Sequence, residues 1–398
     1  MGITRNIKTY YIYSIFADLL ILGPILVLFL IAKGLSFTEI MLLQSVAAIS
    51  VVIFEVPTGA FADKFGRKIS ILIGAILWSV SLLIYIIGNE FPVFILAEII
   101  FSLGATLKSG ADTALIYDSL KSIGREREFQ SIEGYARSLS LYAQAVGSII
   151  AGFVYKVNIF LPFYISIGFM LIAAITTLNF IEPSIEGKKG KYGNNYFKQI
   201  KESGIYIARH EKIKAIMMFS MIFFIFYRAG FWFFQPYMES VEIPVEYFGI
   251  IFFIFNIVAA ITSKRCHLIM EKTKSRTLSF MAFLIIVSFV LLGIIRIWIG
   301  VLAILLQQMA RGLYRPVTTK YLNKHIPSDK RATILSFQSL ITNIAVAVTL
   351  PFMGVLKDST DIFNTHLILA GIMLVLVLAV MRYMNKRLGV KQTEKSNV

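Results

Sequence analysis

The sequence predicts an all-α membrane protein with twelve transmembrane helices in two six-helix bundles. Three observations predict it. Of 398 residues, 57% are hydrophobic and 16% charged, with a mean hydropathy of +0.75; a soluble domain is nearer half apolar and a quarter charged. The apolar residues gather in runs close to the ~20 residues that cross a bilayer. The cations gather in the short segments between those runs. The formal net charge of +16 would point a soluble chain toward nucleic acid, but cations spread over short loops exclude that reading.

The runs place helices at 9–31, 37–58, 69–88, 91–114, 131–155, 159–181, 214–236, 246–263, 277–295, 297–318, 331–356 and 364–384. Each must be helical, because backbone groups in lipid have to bond within their own segment. The first run follows Arg5 and Lys8, as a secretory signal would. Its apolar stretch from Tyr11 to Ile31 is too long for one, and no clear small-residue cleavage site follows, so a retained first span is expected. The fourth and tenth runs are the least clean, since both carry charges.

Orientation follows from the cations. With the N-terminus in the cytoplasm, 30 of the 39 Lys and Arg lie in cytoplasmic segments. Four lie outside, Lys33, Lys156, Arg296 and Lys357, and the rest within spans. This bias predicts a multi-pass protein of the cytoplasmic membrane with both termini cytoplasmic.

The longest polar segment, 182–213, divides the chain into a bundle at 1–181 and a bundle with a short cytoplasmic tail at 214–398. Lys188, Gly190, Lys191, Gly193 and Asn194 give it the composition of a flexible linker. A helix over 196–210 within it would set Lys198, Lys201 and Arg209 against anionic head groups. The halves are weakly alike: Gly104 leads out of the fourth span into a charged loop, as Gly312 does from the tenth. Two related six-helix halves are the mark of several transporter folds.

Between the second and third runs stands Gly59-Ala-Phe-Ala-Asp63-Lys-Phe-Gly66-Arg67-Lys68. It is too polar for lipid and sits where the chain must turn. Gly59 suits close packing at a helix end, Gly66 a turn, Asp63 a helix N-terminus and Arg67 a forked bond to a carboxylate. The stretch resembles the loop between helices 2 and 3 of the major facilitator superfamily: glycine, three residues, aspartate, two residues, glycine, two basic residues. Phe61 replaces the usual leucine. The span number, the six-plus-six split and the topology extend the resemblance over the whole chain.

The resemblance implies the major facilitator fold, alternating access by rocking halves, and a substrate site lined by helices 1, 4, 7 and 10. It implies a latch in which Arg67 pairs with an acid at the cytoplasmic end of helix 4, here Asp118, with Glu55 nearby. Two other family signatures are eroded. Glu98 stands where many members carry arginine, and Gly147 to Gly152 lacks the proline of the antiporters.

Ionisable groups inside a membrane are costly and mark function by default. Asp18 falls in the first span, Glu98, Lys108 and Asp112 in the fourth, Arg137 in the fifth, Arg228 in the seventh, and Gln307, Arg311 and Arg315 in the tenth. Asp18 and Glu98 are the candidate proton carriers, since a low-dielectric site favours the protonated form of a carboxylate. Lys108 and Asp112, four residues apart, form a structural pair or part of the pathway. Arg228, Arg311 and Arg315 suit a substrate with an anionic or hydrogen-bond-accepting group.

The expected activity is secondary active transport of a small organic solute, by proton-coupled efflux. The alternatives are a sugar or metabolite uptake permease, a lipid flippase or, from another class, an integral-membrane enzyme. An enzyme should cluster His, Asp and Glu at one membrane face; His210, His267, His325 and His366 are scattered. Cys266 is the one cysteine, so cysteine-based metal spacings cannot occur. No phosphate-binding loop is present. The expected partners are the solute, protons and the bilayer, with no cofactor, no metal, no nucleic acid and a monomeric chain.

Overall fold

The computed structural model describes residues 2–19, 21–183, 196–327 and 330–388. These residues form two compact units, Met1–Asn194 with Val245–Phe253, and Asn195–Pro244 with Ile254–Val398. Among the described residues, nine helices are long and apolar enough to cross a membrane. Three further predicted spans, the first, sixth and tenth, fall short of that length or composition.

In the first unit the helices are α1 Arg5–Ala17, α2 Leu26–Ala32, α3 Phe37–Phe65, α4 Arg67–Ile87, α5 Phe91–Lys108, α6 Ala111–Ser122, α7 Phe129–Val157 and α8 Leu161–Thr177. The continuous first span expected from hydropathy is absent. Its helix stops at Ala17 and resumes at Leu26. Gly23 and Pro24 lie in the gap, where a proline removes a backbone donor and restricts the residue before it. The fourth span is broken too. α5 ends at Lys108, and Gly110 takes a left-handed conformation, φ 77°, before α6 begins. The sixth span, α8, is 17 residues long.

The start of α3 carries a side-chain cap. Ser36 and Glu39 form a reciprocal capping box at α3, the Ser36 N–H donating to Glu39 Oε2 at 2.8 Å. α4 and α5 pack almost backbone to backbone, since a side chain at Gly74 would lie 2.8 Å from the Gly104 carbonyl. Three polar side chains of α4 bond to α5 carbonyls: Ser70 to Leu107 at 2.7 Å, Trp78 to Phe101 at 2.8 Å and Ser81 to Ala97 at 2.8 Å. In lipid such bonds hold helices together where the hydrophobic effect cannot.

The second unit holds α9 Tyr196–Arg209, α10 Glu211–Ser240, most of α11 Phe248–Lys264, then α12 Cys266–Thr273, α13 Thr277–Ile294, α14 Ile304–His325, α15 Arg331–Ser359 and α16 Ile362–Leu388. The tenth span opens with a 3-10 turn, Trp298–Ala303, before α14. The helix expected at 196–210 is present and packs on its own unit. Ile207 joins a core with Met217, Leu322 and Ile334, while Lys201 and Arg209 stay exposed. Lys188 to Asn194 of the expected linker lie outside the described residues.

Candidate functional site

The two broken spans meet at a charged group. Asp18 caps the C-terminus of α1, and Lys108 ends α5. The Lys108 ammonium donates to Asp18 Oδ1 and, at 3.2 Å, to the Ala17 carbonyl. Asp18 Oδ2 accepts from Ser140 Oγ of α7 at 2.7 Å and from the Arg137 guanidinium at 3.4 Å. The Lys108 ammonium also lies 5.0 Å from the centre of the Trp78 ring, which stacks on Phe101. A broken helix supplies unpaired backbone groups and room for side-chain charge, which is why ion and substrate sites in transporters gather at such breaks. Asp18, Lys108 and Arg137 are therefore brought together.

Other predicted residues lie elsewhere. Lys108 pairs with Asp18 rather than with Asp112, because the turn at Gly110 ends the helix that a four-residue spacing requires. Asp112 instead accepts the Thr113 N–H at 2.7 Å at the start of α6. Glu98 is buried between α4 and α5, where its carboxylate accepts the Tyr85 hydroxyl at 2.5 Å. In the second unit, Gln307 is buried and its amide donates to Ser288 at 3.0 Å. Gly230 is what admits it, since any side chain there would collide with the Gln307 carbonyl oxygen. Arg311 is exposed and donates to Asn256 at 3.0 Å and Gln308 at 3.3 Å. Arg228 lies over the Trp232 ring at 5.6 Å, and Arg315 is exposed.

The loop between α3 and α4 differs in detail from its expected roles. Arg67 forms an ion pair with Asp118 of α6 and also donates to the Ala114 carbonyl. α3 does not end at Gly59 but runs on to Phe65, and Gly59 has open space around it. Gly66 is the true junction, at φ 99°. The carboxylate at the N-terminus of α4 is Glu182, not Asp63. Glu182 accepts the N–H groups of Arg67 and Lys68, both at 2.8 Å, which is where a helix start favours negative charge. Lys68 Nζ donates back to the Leu178 carbonyl at 2.8 Å. Asp63 and Glu55 are exposed on α3.

Sequence reasoning missed Ser140, Trp78, Glu182 and the pair Tyr10–Glu133, in which the hydroxyl donates to the carboxylate. Ser140 is an ordinary hydroxyl in a helix and carries no signal. Glu182 did carry one, an acid beside Pro183 directly after the sixth span.

The model of the Major Facilitator Superfamily matches residues 12–295 and 217–397. The chain belongs to the major facilitator superfamily. It is 25% identical over 361 residues to the uncharacterized MFS-type transporter YxaM of Bacillus subtilis, covering 89% of this chain and 90% of that one. It is 30% identical over 169 residues, 42% of each chain, to the quinolone resistance protein NorA of Staphylococcus aureus. Among solved structures, the nucleoside transporter NupG superposes with a TM-score of 0.78 at 15% identity, covering 96% of this chain and 99% of that one. A bacterial homologue of the lysosomal transporter Spinster superposes with a TM-score of 0.72 at 15% identity, over 96% of both chains. At such identities the superpositions speak for the fold. This superfamily member is thus a multi-pass membrane protein whose family and structural neighbours are transporters.

Proposed function

We propose that this chain exports a small organic solute from the cytoplasm by alternating access, driven by protons entering through Asp18. The observation that carries the proposal is the ion pair of Asp18 and Lys108 at the two helix breaks. Protonating Asp18 removes its attraction for Lys108 and Arg137 and frees two helix ends to move. Binding a proton and changing conformation thereby become one event, which is the differential interaction a coupled switch requires. The ion pair of Arg67 and Asp118 is a natural latch for one of the two states. The similarity to a protein named for quinolone resistance supports export over uptake. The exposed Arg311, backed by Asn256 and Gln308, is the proposed substrate contact in the second unit.

Inverted membrane vesicles with an acidified lumen and a luminal pH dye provide the test. Adding a transported solute should discharge the acid interior in the wild type and leave it unchanged in Arg311→Ala. If solutes exchange across the membrane yet none moves protons, the coupling is wrong.

A further inference from the structure

A half-open apolar pocket of about 370 Å³ lies on the first unit, walled by Ile15 of α1 and Leu19 just beyond it, Leu139, Ala143 and the exposed Val146 of α7, and Phe169 of α8. Gly147 lets the stretch after α1 approach α7 at this pocket. A side chain there would lie 2.8 Å from both Leu19 and Ile21. Its size falls in the range of small-molecule sites. An apolar cavity of about 150 Å³ stays dry and binds benzene, so this one has room for fused rings.

The charged group lies beside the pocket along the chain, although none of its side chains lines it. Leu19 follows Asp18, and Ser140 follows Leu139. The charge beside it is also defined. Asp18 is offset by Lys108, whose side chain is 14% exposed, whereas the Arg137 side chain is 62% exposed. Arg137 gives one long bond, 3.4 Å, to Asp18, and a guanidinium has five N–H donors in a planar fork that fits carboxylates and sulfonates. The further acids, Asp112 and Glu133, are engaged by the Thr113 N–H and the Tyr10 hydroxyl.

We propose that this cavity is the substrate's apolar subsite and that the substrate is an amphipathic anion: fused rings or a short branched chain in the cavity, and a carboxylate or sulfonate on Arg137. This rests on the export reading for its meaning, but its test does not need transport.

Purified full-length protein in lipid nanodiscs is titrated with tritiated naphthoate by scintillation proximity, with naphthylmethylammonium and naphthylmethanol as cationic and neutral matches of the same ring. The wild type should bind naphthoate at least about tenfold more tightly than either match, the scale of one charge-assisted bond. Arg137→Gln should erase that preference while leaving naphthylmethanol binding unchanged. Ala143→Phe, which fills the cavity, should weaken all three ligands about tenfold. Ala143→Leu, a smaller filling, should weaken them less and guards against simple misfolding. Equal binding of anion and cation, or naphthoate binding untouched by both Arg137→Gln and Ala143→Phe, would overturn the subsite. Binding as expected without any proton-driven transport would leave the subsite standing and remove the export reading.

Discussion

At the scale of residues, the decisive contact is one that sequence distance hides. Asp18 and Lys108 are 90 positions apart, while Asp112 sits one helical turn from Lys108 in the sequence and offers itself as the partner. The two side chains are mostly shielded, at 24% and 14% exposure. Breaking such a pair leaves a poorly compensated charge, so Lys108→Met should cost about 3 kcal/mol, the low end for a buried pair. Adding Asp18→Asn to the same chain should return most of that loss, because the stranded charge is gone. Thermal unfolding in detergent reads both, and a double variant no more stable than Lys108→Met would mean the pair is not coupled. The candidate charges themselves were legible, since ionisable residues stand out in apolar runs. Their partners were not, because hydroxyls such as Ser140 and rings such as Trp78 are common in membrane helices for packing alone.

At the scale of elements, hydropathy located the helices and misjudged their continuity. It averages over a window, so a break flanked by leucine and isoleucine disappears. The Gly23-Pro24 dipeptide was the local signal for the break in the first span, and Ser109-Gly110 for that in the fourth. The α3–α4 junction shows the complementary case. Its glycines and cations announced a turn, but the acid completing it comes from the far end of the unit. Glu182→Ala removes the acceptor for two helix-start N–H groups and should cost about 1–2 kcal/mol. Gly66→Ala should cost more than a loss of chain flexibility would. The residue is held at φ 99°, and the added carbon would meet the Glu182 carboxylate at 3.3 Å. Unfolding midpoints of the two single variants and the double check this. The double should lose less than the sum of the singles, because Gly66→Ala no longer crowds a carboxylate once Glu182 is removed.

At the scale of the molecule, the fold class was readable from composition, run length and the cation bias, because the bilayer imposes those constraints on any chain that crosses it. The division into halves that the segment 182–213 marks stays a proposal; the compact units keep no separate linker and exchange one stretch, Val245–Phe253. That segment groups with the first unit, where Lys156 pairs with Glu246. What the substrate is was not readable, since specificity depends on which side chains the packed helices bring together. The central claim is that protons drive solute movement through Asp18. Reconstituted vesicles with an imposed pH gradient, tested with a solute the wild type exchanges, address it directly. The wild type should accumulate the solute against its gradient, and Asp18→Asn should still exchange it without accumulating it. Accumulation by Asp18→Asn equal to that of the wild type would contradict the account.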